Sequence, residues 1–291
     1  MKYRHAFHAG NFADVHKHVT LLALLAALAR KDKGFLFVDT HAGCGLYDLD
    51  AADSKDSGES RSGVALLLAA RAAQASIGDE TIDAYLDEVS SIRHECGIRH
   101  AYPGSPLLAA RRLRAQDRAI LIESETEAFV DLRRQLRNLA RVATENADGY
   151  ARLPGLLPPR ERRALVLIDP PFEDSRQDFQ RIGQVIAAAL ERFASCVIAC
   201  WYPIKLERDI ERWHENLRAR FTAEALVCEL HVHPLDSRAG LNGSGLVIVN
   251  PPYLIDERLR QIMPLLRQLL CAPDQGGWSV RALGDSSRTS T

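Results

Sequence analysis

Apolar and polar positions along the chain alternate with the periods of helices and strands. Asn11 and Asp14 form a helix start, and apolar side chains then recur at helical spacing, which predicts a helix from about residue 12 through Leu28. The run FLFVDT at 35–40 is short, apolar and β-prone, and a loop containing glycine follows it. This run predicts the first strand.

The same alternation resumes after an intervening stretch. Later strands are predicted at 119–124, 141–145, 165–172, 196–203, 225–233 and 245–250, with helices at 126–140, 178–193 and 205–220. Apolar strands separated by helices predict a doubly wound, mostly parallel sheet of seven strands with helices on both faces. We therefore expect a Rossmann-like α/β fold, in which ligands bind at the carboxyl ends of the strands.

The intervening stretch carries its own helices. Residues 48–63 contain almost no large apolar side chain, whereas 64–75 and 79–95 are amphipathic, and the turn sequence YPGSP follows at 102–106. We predict an inserted helical subdomain there. The predicted division is 47–101 for the insertion, 1–46 (an arm and helix over 1–33) with 102–283 for the Rossmann-like domain, and 284–291 for a disordered tail.

Composition narrows the function classes. The 291 residues are 46% hydrophobic and can bury a large core, and the six cysteines form no CxxC pair, which favours reduced thiols. No apolar stretch follows the charges at the N-terminus, and the apolar run at 19–29 is too short for a bilayer, so we expect a cytoplasmic protein without a membrane partner.

The net charge of −1 requires any nucleic acid to bind a local basic patch. Candidate patches are Arg111, Arg112 and Arg114; Arg133, Arg134, Arg137 and Arg141; and Arg160, Arg162 and Arg163, each of which is also typical of a solvated helix face.

Asp39 to Gly45 (DTHAGCG) place glycines at the end of the first strand, where the backbone can approach a ligand closely. A plain tight turn has the same pattern. Neither GxGxxG spacing nor a Walker lysine is present, so an adenosine-bearing cofactor is the natural candidate. Glu123 ends the next strand in the context of a ribose-binding carboxylate, although helix capping stays open for it. Asp148-Gly149, after the third strand, has the geometry to hold the adenine edge.

Asp169-Pro170-Pro171-Phe172 follows a buried strand that must stop at the two prolines. An adenine amine is a poor nucleophile because its lone pair is delocalised into the ring. The Asp169 carboxylate and the Pro170 carbonyl can accept its N–H bonds, while the Phe172 ring stacks on the base. The D/N-P-P-Y/F/W signature is typical of methyltransferases that act on amines of adenine or cytosine.

Asn250-Pro251-Pro252-Tyr253 matches the same signature and also follows an apolar strand. The order of the strands separates the two motifs. Asp169 ends the fourth predicted strand, which is the catalytic position in this fold, whereas Asn250 ends the last one, which we place at the sheet edge. We therefore assign catalysis to Asp169 and a rigid strand exit to Asn250.

Several segments together resemble the RlmJ family, bacterial methyltransferases that modify an adenine N6 in large-subunit ribosomal RNA. The similar segments are YRHAFHAGNFADVHKH, DTHAG, YPGSPL, DPPF, WYP and the stretch before NPP. The resemblance covers nearly the whole chain. One departure is Phe172, where the family commonly has tyrosine; stacking survives this change, but a hydroxyl bond is lost.

The resemblance implies a methyltransferase that uses S-adenosyl-L-methionine, releases S-adenosyl-L-homocysteine and methylates a 23S rRNA adenine of the 2030 type, and we expect it to be a monomer. It implies that Asp169 receives a hydrogen bond from the amine and that Tyr3 contacts the RNA. We expect Arg4 and His5 of the same arm to contact the RNA as well. The expected cofactor-binding residues are Lys17, His18, Asp39, His41, Gly43, Ser105, Glu123, Asp148, Gly149 and Asp169.

Other functions keep some support. The histidines His5, His8, His16, His18 and His41 cluster early in the chain, but they lack ligand spacing for zinc, so we expect no metal. A DNA adenine-N6 methyltransferase would use identical chemistry. A protein glutamine N5-methyltransferase would use the Asn250 motif instead. The missing GxGxxG disfavours a nicotinamide oxidoreductase, and a non-catalytic RNA-binding protein would not need Asp169.

Overall fold

A computed structural model describes residues 8–51, 58–172, 175–234, 237, 240–272 and 275–285. The α-helices are α1 (Phe12–Ala29), α2 (Val64–Ala73), α3 (Glu80–Cys96), α4 (Ser105–Arg112), α5 (Thr126–Leu136), α6 (Gly149–Arg152), α7 (Ser175–Arg192), α8 (Glu207–Arg218) and α9 (Ile255–Leu270). The strands are β1 (Leu36–Asp39), β2 (Leu46–Asp48), β3 (Ala101–Pro103), β4 (Arg118–Glu123), β5 (Val142–Asn146), β6 (Ala164–Ile168), β7 (Val197–Ile204), β8 (Ala225–His231), β9 (Gly243–Val249) and β10 (Gly277–Ala282).

The main sheet has eight strands in the order β10-β8-β9-β7-β6-β1-β4-β5. The five strands from β7 to β5 are parallel, while β9, β8 and β10 continue the sheet with antiparallel pairings. The α/β fold is therefore confirmed, but the prediction of seven strands was wrong by one. The additional strand, β10, lies beyond the last predicted strand and pairs with β8 at the edge.

Side chains alternate between two cores on opposite faces of the sheet. Along β1 and the residue before it, Phe35 and Phe37 belong to the core that contains α1, α4, α5 and α9, whereas Leu36 and Val38 belong to the core under α7 and α8. This period of two is what a central strand requires when helices cover both faces. It explains why the central strands β1, β4 and β6 are apolar almost without interruption.

The segment predicted as an insertion contains both expected helices, α2 and α3. The short strands β2 and β3 pair with each other and close its two ends, which the sequence did not indicate. Its helices pack on the core, α3 against α1 and α2 against α9. The division into a domain and an inserted subdomain stays a prediction. Of the expected tail, Gly284 and Asp285 are described and Asp285 forms a bridge with Leu283, while 286–291 lie outside the described residues.

Helix α1 begins as the sequence predicts. The Asn11 side chain accepts a hydrogen bond from the Asp14 backbone N–H, which satisfies one free donor of the first turn. The helix is long and apolar enough to cross a membrane, but 83% of that stretch is buried inside the protein. A core helix of a folded domain has the same composition, so α1 is explained by packing against the sheet.

Candidate active site

The parallel strands bring the predicted site residues to one edge of the sheet. β1 lies between β4 and β6, and β6 lies next to β7. Asp39, Glu123 and Asp169 each stand at the carboxyl end of one of these strands, and the neighbour of Asp169 along β7 is Trp201. Carboxyl ends of adjacent parallel strands share an edge, so the pairing of these strands assembles the set.

Helix α1 adds a buried lysine to this edge. The Lys17 Nζ lies 2.7 Å from Asp14 Oδ1 and 2.5 Å from Asp169 Oδ2. Burial acts to lower the pKa of Lys17, but the two carboxylates outweigh it and hold this pKa above its ordinary value. Lys17 is therefore a permanent cation that fixes the Asp169 carboxylate, and it cannot act as a base.

Asp39 is a fully buried carboxylate at the same edge of the sheet as this ion pair. Its Oδ2 accepts a hydrogen bond from Ser105 Oγ at 2.7 Å, and its Oδ1 accepts one from the His41 backbone N–H at 3.2 Å. Burial, with a further contribution from the Asp169 charge, raises the pKa of Asp39 to about 7. The structure thus places Asp39 and Ser105 together, next to Asp169.

The glycine loop closes onto Glu123. The Gly43 N–H donates to Glu123 Oε2 at 2.7 Å, and the Glu125 N–H donates to Oε1 at 2.7 Å. Glu125 is the N-cap of α5, so the Glu123 carboxylate also has a local structural role. Each carboxylate oxygen can accept two hydrogen bonds. One acceptor position per oxygen is therefore left for a diol such as a ribose.

Gly149 is required by a close approach of two loops. A Cβ at this position would lie 2.0 Å from the backbone oxygen of Thr40, so no larger residue fits against the end of β1. Asp148 caps α6 through Oδ1 and forms an ion pair with Arg181 through Oδ2. Burial acts to raise the pKa of Asp148, but Arg181 and the backbone N–H bonds leave it below its ordinary value.

His41 lies over α6. Its ring centroid is 4.7 Å from that of Tyr150, and its Nδ1 is 2.8 Å from Thr40 Oγ1. Burial lowers the pKa of His41 to about 4, so the imidazole is neutral at pH 7. His18 points elsewhere, because its Nδ1 lies 2.8 Å from the hydroxyl of Tyr102 on β3. His18 therefore stands near the site in sequence, yet its described bond joins α1 to β3.

Phe172 is buried and only 6% exposed. Its backbone has φ of +51°, and its ring packs edge-on against Phe179 and Trp201, with centroids 5.2 and 5.6 Å away. The ring lies in a cluster of aromatic side chains, and its stacking on the base stays a prediction. A base can stack on it only where those neighbours leave a face open.

The second Pro-Pro motif lies at the opposite end of the sheet. β9 is antiparallel to β7, and Val249 pairs with Ile198 near the beginning of β7, whereas Ile168 before Asp169 pairs with Cys200. The expectation of an edge strand was wrong, because β9 lies between β7 and β8. The Asn250 amide donates to the backbone oxygens of Ala194 and Cys196, at 2.8 Å each, as a rigid strand exit does.

Five of the ten candidate arginines pair with acids. Arg111 bonds to Glu88 and Glu95, Arg112 to Glu88, Arg114 to Asp117, Arg134 to Asp131, and Arg160 to Glu161. These pairs favour the interpretation as solvated surface. No group of three metal-binding side chains occurs in the part of the chain that the structure describes. Tyr3, Arg4 and His5 lie outside the described residues.

Sequence analysis missed two contributors to the site. Asp14 was assigned only to the first turn of α1, although its spacing of three from Lys17 places both on one helix face. Trp201 had no assigned role, because nothing local shows that β7 runs next to β6. The register of these two strands was the missing information.

Comparison with known proteins finds matches that cover most of this chain. A family model described as "Ribosomal RNA large subunit methyltransferase D, RlmJ" matches residues 32–283. Two proteins named "Ribosomal RNA large subunit methyltransferase J", from Haemophilus influenzae and Escherichia coli, are 36% and 37% identical over 280 residues, which cover 96% of this chain and 98% of each relative. A crystal structure of a Legionella pneumophila protein is 30% identical, with a TM-score of 0.85, and the match covers 96% of this chain and 99% of that one.

Proposed function

Because the chain belongs to the RlmJ family of ribosomal RNA large-subunit methyltransferases, we propose that its Asp169 site transfers a methyl group from S-adenosyl-L-methionine to the N6 amine of an adenine in 23S rRNA. S-adenosyl-L-homocysteine is the other product. One observation carries the assignment to this site: Asp169 ends a central parallel strand, precedes two prolines, and is ion-paired to a buried lysine.

The side chains at the sheet edge fit the donors and acceptors of the cofactor. Glu123 has acceptor positions left for the ribose hydroxyls, and the Gly43 loop lies against it. Asp39 and Asp169 offer carboxylates at the same edge for an ammonium group. Asp148 is a weaker fit for the adenine edge, since Arg181 already pairs with it. When bound, S-adenosyl-L-methionine supplies an electrophilic methyl group on a sulfonium.

Asp169 orients the amine. Its Oδ2 accepts from Lys17, so the substrate N–H bonds to the other oxygen, and the Pro170 carbonyl accepts the second N–H. These two bonds draw the nitrogen toward tetrahedral geometry and free its lone pair. The amine loses its proton only as the new bond forms, and an ion-paired carboxylate is a sufficient acceptor.

The RNA is expected to approach the carboxyl edge of the sheet. The target adenine must leave its helix or loop to reach Asp169, since a stacked base hides its amine. We assign Tyr3, Arg4 and His5, which lie outside the described residues, to RNA contacts. Cytoplasmic location, a monomeric state and the identity of the nucleotide belong to the same proposal.

The direct test is transfer of labelled methyl from S-adenosyl-L-methionine to ribosomal RNA purified from cells that lack this protein. Duplex DNA and a total protein extract serve as parallel acceptors. Label recovered as N6-methyladenine in the large-subunit RNA is the expected result. Label found only in DNA would identify a DNA adenine methyltransferase. Label found only on glutamine would identify a protein methyltransferase that uses the Asn250 motif.

A further inference from the structure

Trp201 is a partly exposed aromatic residue in a strand that is otherwise almost entirely buried. Its neighbours Cys200 and Tyr202 are fully buried in β7. Ile168, the last residue of β6, pairs with Cys200, so Asp169 and Trp201 come next on adjacent strands. The indole is therefore held beside the carboxylate that we assign to the amine.

Two site residues contact this indole. The Lys17 Nζ lies over the ring, 5.9 Å from its centroid, while the same ammonium bonds to Asp14 and Asp169. An ammonium over an indole face is attracted by the negative face of the ring. Phe172 packs against the ring at an interplanar angle of 74°. Trp201 thus touches both the counter-ion of Asp169 and the aromatic residue of the Pro-Pro motif.

The indole itself has a fixed orientation. Its Nε1–H donates to Ser244 Oγ on β9 at 2.9 Å, and Ser244 Oγ lies 2.9 Å from Nδ1 of His16 on α1. Burial lowers the pKa of His16 to about 3, so its ring is neutral and one nitrogen can accept the serine proton. Ser244 is fully buried, which makes each of these bonds costly to lose.

We propose that Trp201 is a positioning residue for methyl transfer, which holds the Lys17 ammonium against Asp169 and supports Phe172, with Ser244 and His16 fixing its indole. The inference rests on the proposed function, because the reaction whose rate Trp201 affects is that methyl transfer. Its effect is on geometry at the reacting amine. The turnover number should therefore respond, while affinity for cofactor and RNA should not.

Two substitutions test separately the indole N–H of Trp201 and its acceptor, Ser244 Oγ. Trp201→Phe keeps an apolar ring under Lys17 but removes the N–H that Ser244 accepts. Ser244→Ala keeps the indole but removes its acceptor. The double variant completes a cycle, and Trp278→Phe, a tryptophan on the far edge strand β10, is the matched control. All are compared with the wild-type chain in the labelled-methyl assay on large-subunit RNA.

We expect kcat to fall about tenfold in Trp201→Phe and about fivefold in Ser244→Ala, with KM for S-adenosyl-L-methionine and RNA within about twofold of wild type. The double variant should match Trp201→Phe alone, because Ser244 acts only through the indole N–H. Trp278→Phe should keep the wild-type kcat. Non-additivity in kcat distinguishes positioning from a general loss of folded protein.

Either of two results would overturn the inference in an active wild-type enzyme. One is an unchanged kcat in both single variants, and the other is a fully additive loss in the double variant. If Trp201→Phe does not fold, Ser244→Ala alone still decides through its kcat and KM values. A wild-type chain that methylates no RNA would instead refute the proposed function, and this inference with it.

Discussion

Lys17 and Asp169 form an ion pair across 152 positions of sequence, with Nζ and Oδ2 2.5 Å apart. Their side chains are only 4% and 9% exposed, and Asp14 is a second buried carboxylate on the same ammonium. One cation therefore compensates two buried anions. Such a pair contributes less to net stability than its short distance suggests, but removing one member leaves an uncompensated charge.

Lys17→Met should lower the free energy of unfolding by about 3 kcal/mol, because Asp14 and Asp169 would lose the buried ammonium that both of them contact. Urea denaturation at pH 7 measures this loss. A second change, Asp14→Asn, should recover part of it by removing one of the two charges. Equal stability of the Lys17→Met variant and the wild type would show that the ion pair is not formed in solution.

Asp169→Asn should reduce methyl transfer at least about a thousandfold while S-adenosyl-L-methionine still binds, since the amide loses one acceptor for the amine. Asn250→Gly is the matched control, because glycine keeps the left-handed backbone at φ +51° and removes only the side chain. Turnover of this control should stay within about twofold of wild type. The reverse ranking of the two variants would move catalysis to the Asn250 motif.

Gly149→Ala should destabilise the protein by about 2 kcal/mol, since its Cβ would meet the Thr40 carbonyl oxygen at 2.0 Å. Gly155→Ala provides the comparison, because its Cβ would meet only the end of the flexible Arg152 side chain at 3.1 Å. That variant should unfold within about 0.5 kcal/mol of wild type. Thermal unfolding of both variants checks the difference.

Asp39→Asn should stabilise the protein relative to wild type as the pH rises. The folded-state pKa of Asp39 is about 7, above its ordinary 3.8, so its contribution to stability is full below pH 4 and is lost as the pH rises through 7. The gain of the variant over wild type should grow between these limits, to the order of 4 kcal/mol, and then level off. Urea titrations at pH 5, 6, 7 and 8 measure it, and a constant difference across them would contradict the raised pKa.

The sequence determined the elements and the chemistry at their ends. Helix α1 begins at its predicted cap, and β1, β4 and β6 lie where their apolar runs predict, because burial on both faces imposes a local pattern. Glycines and carboxylates directly after these strands could be located for the same reason. In a parallel sheet, the end of each strand reaches the ligand-binding edge without any further information.

Strand order in the sequence favoured Asp169, but only the tertiary structure shows which of the two motifs lies at the carboxyl edge of the parallel strands. Asn250 and Asp169 follow similar apolar strands, but β9 enters the sheet between β7 and β8 and runs antiparallel to β7. Strand direction depends on distant pairing and connection, which a tetrapeptide does not encode. The same holds for the contacts of Lys17 with Asp169 and of Trp201 with Ser244. Each joins residues far apart in sequence, so its existence follows from packing rather than from local pattern.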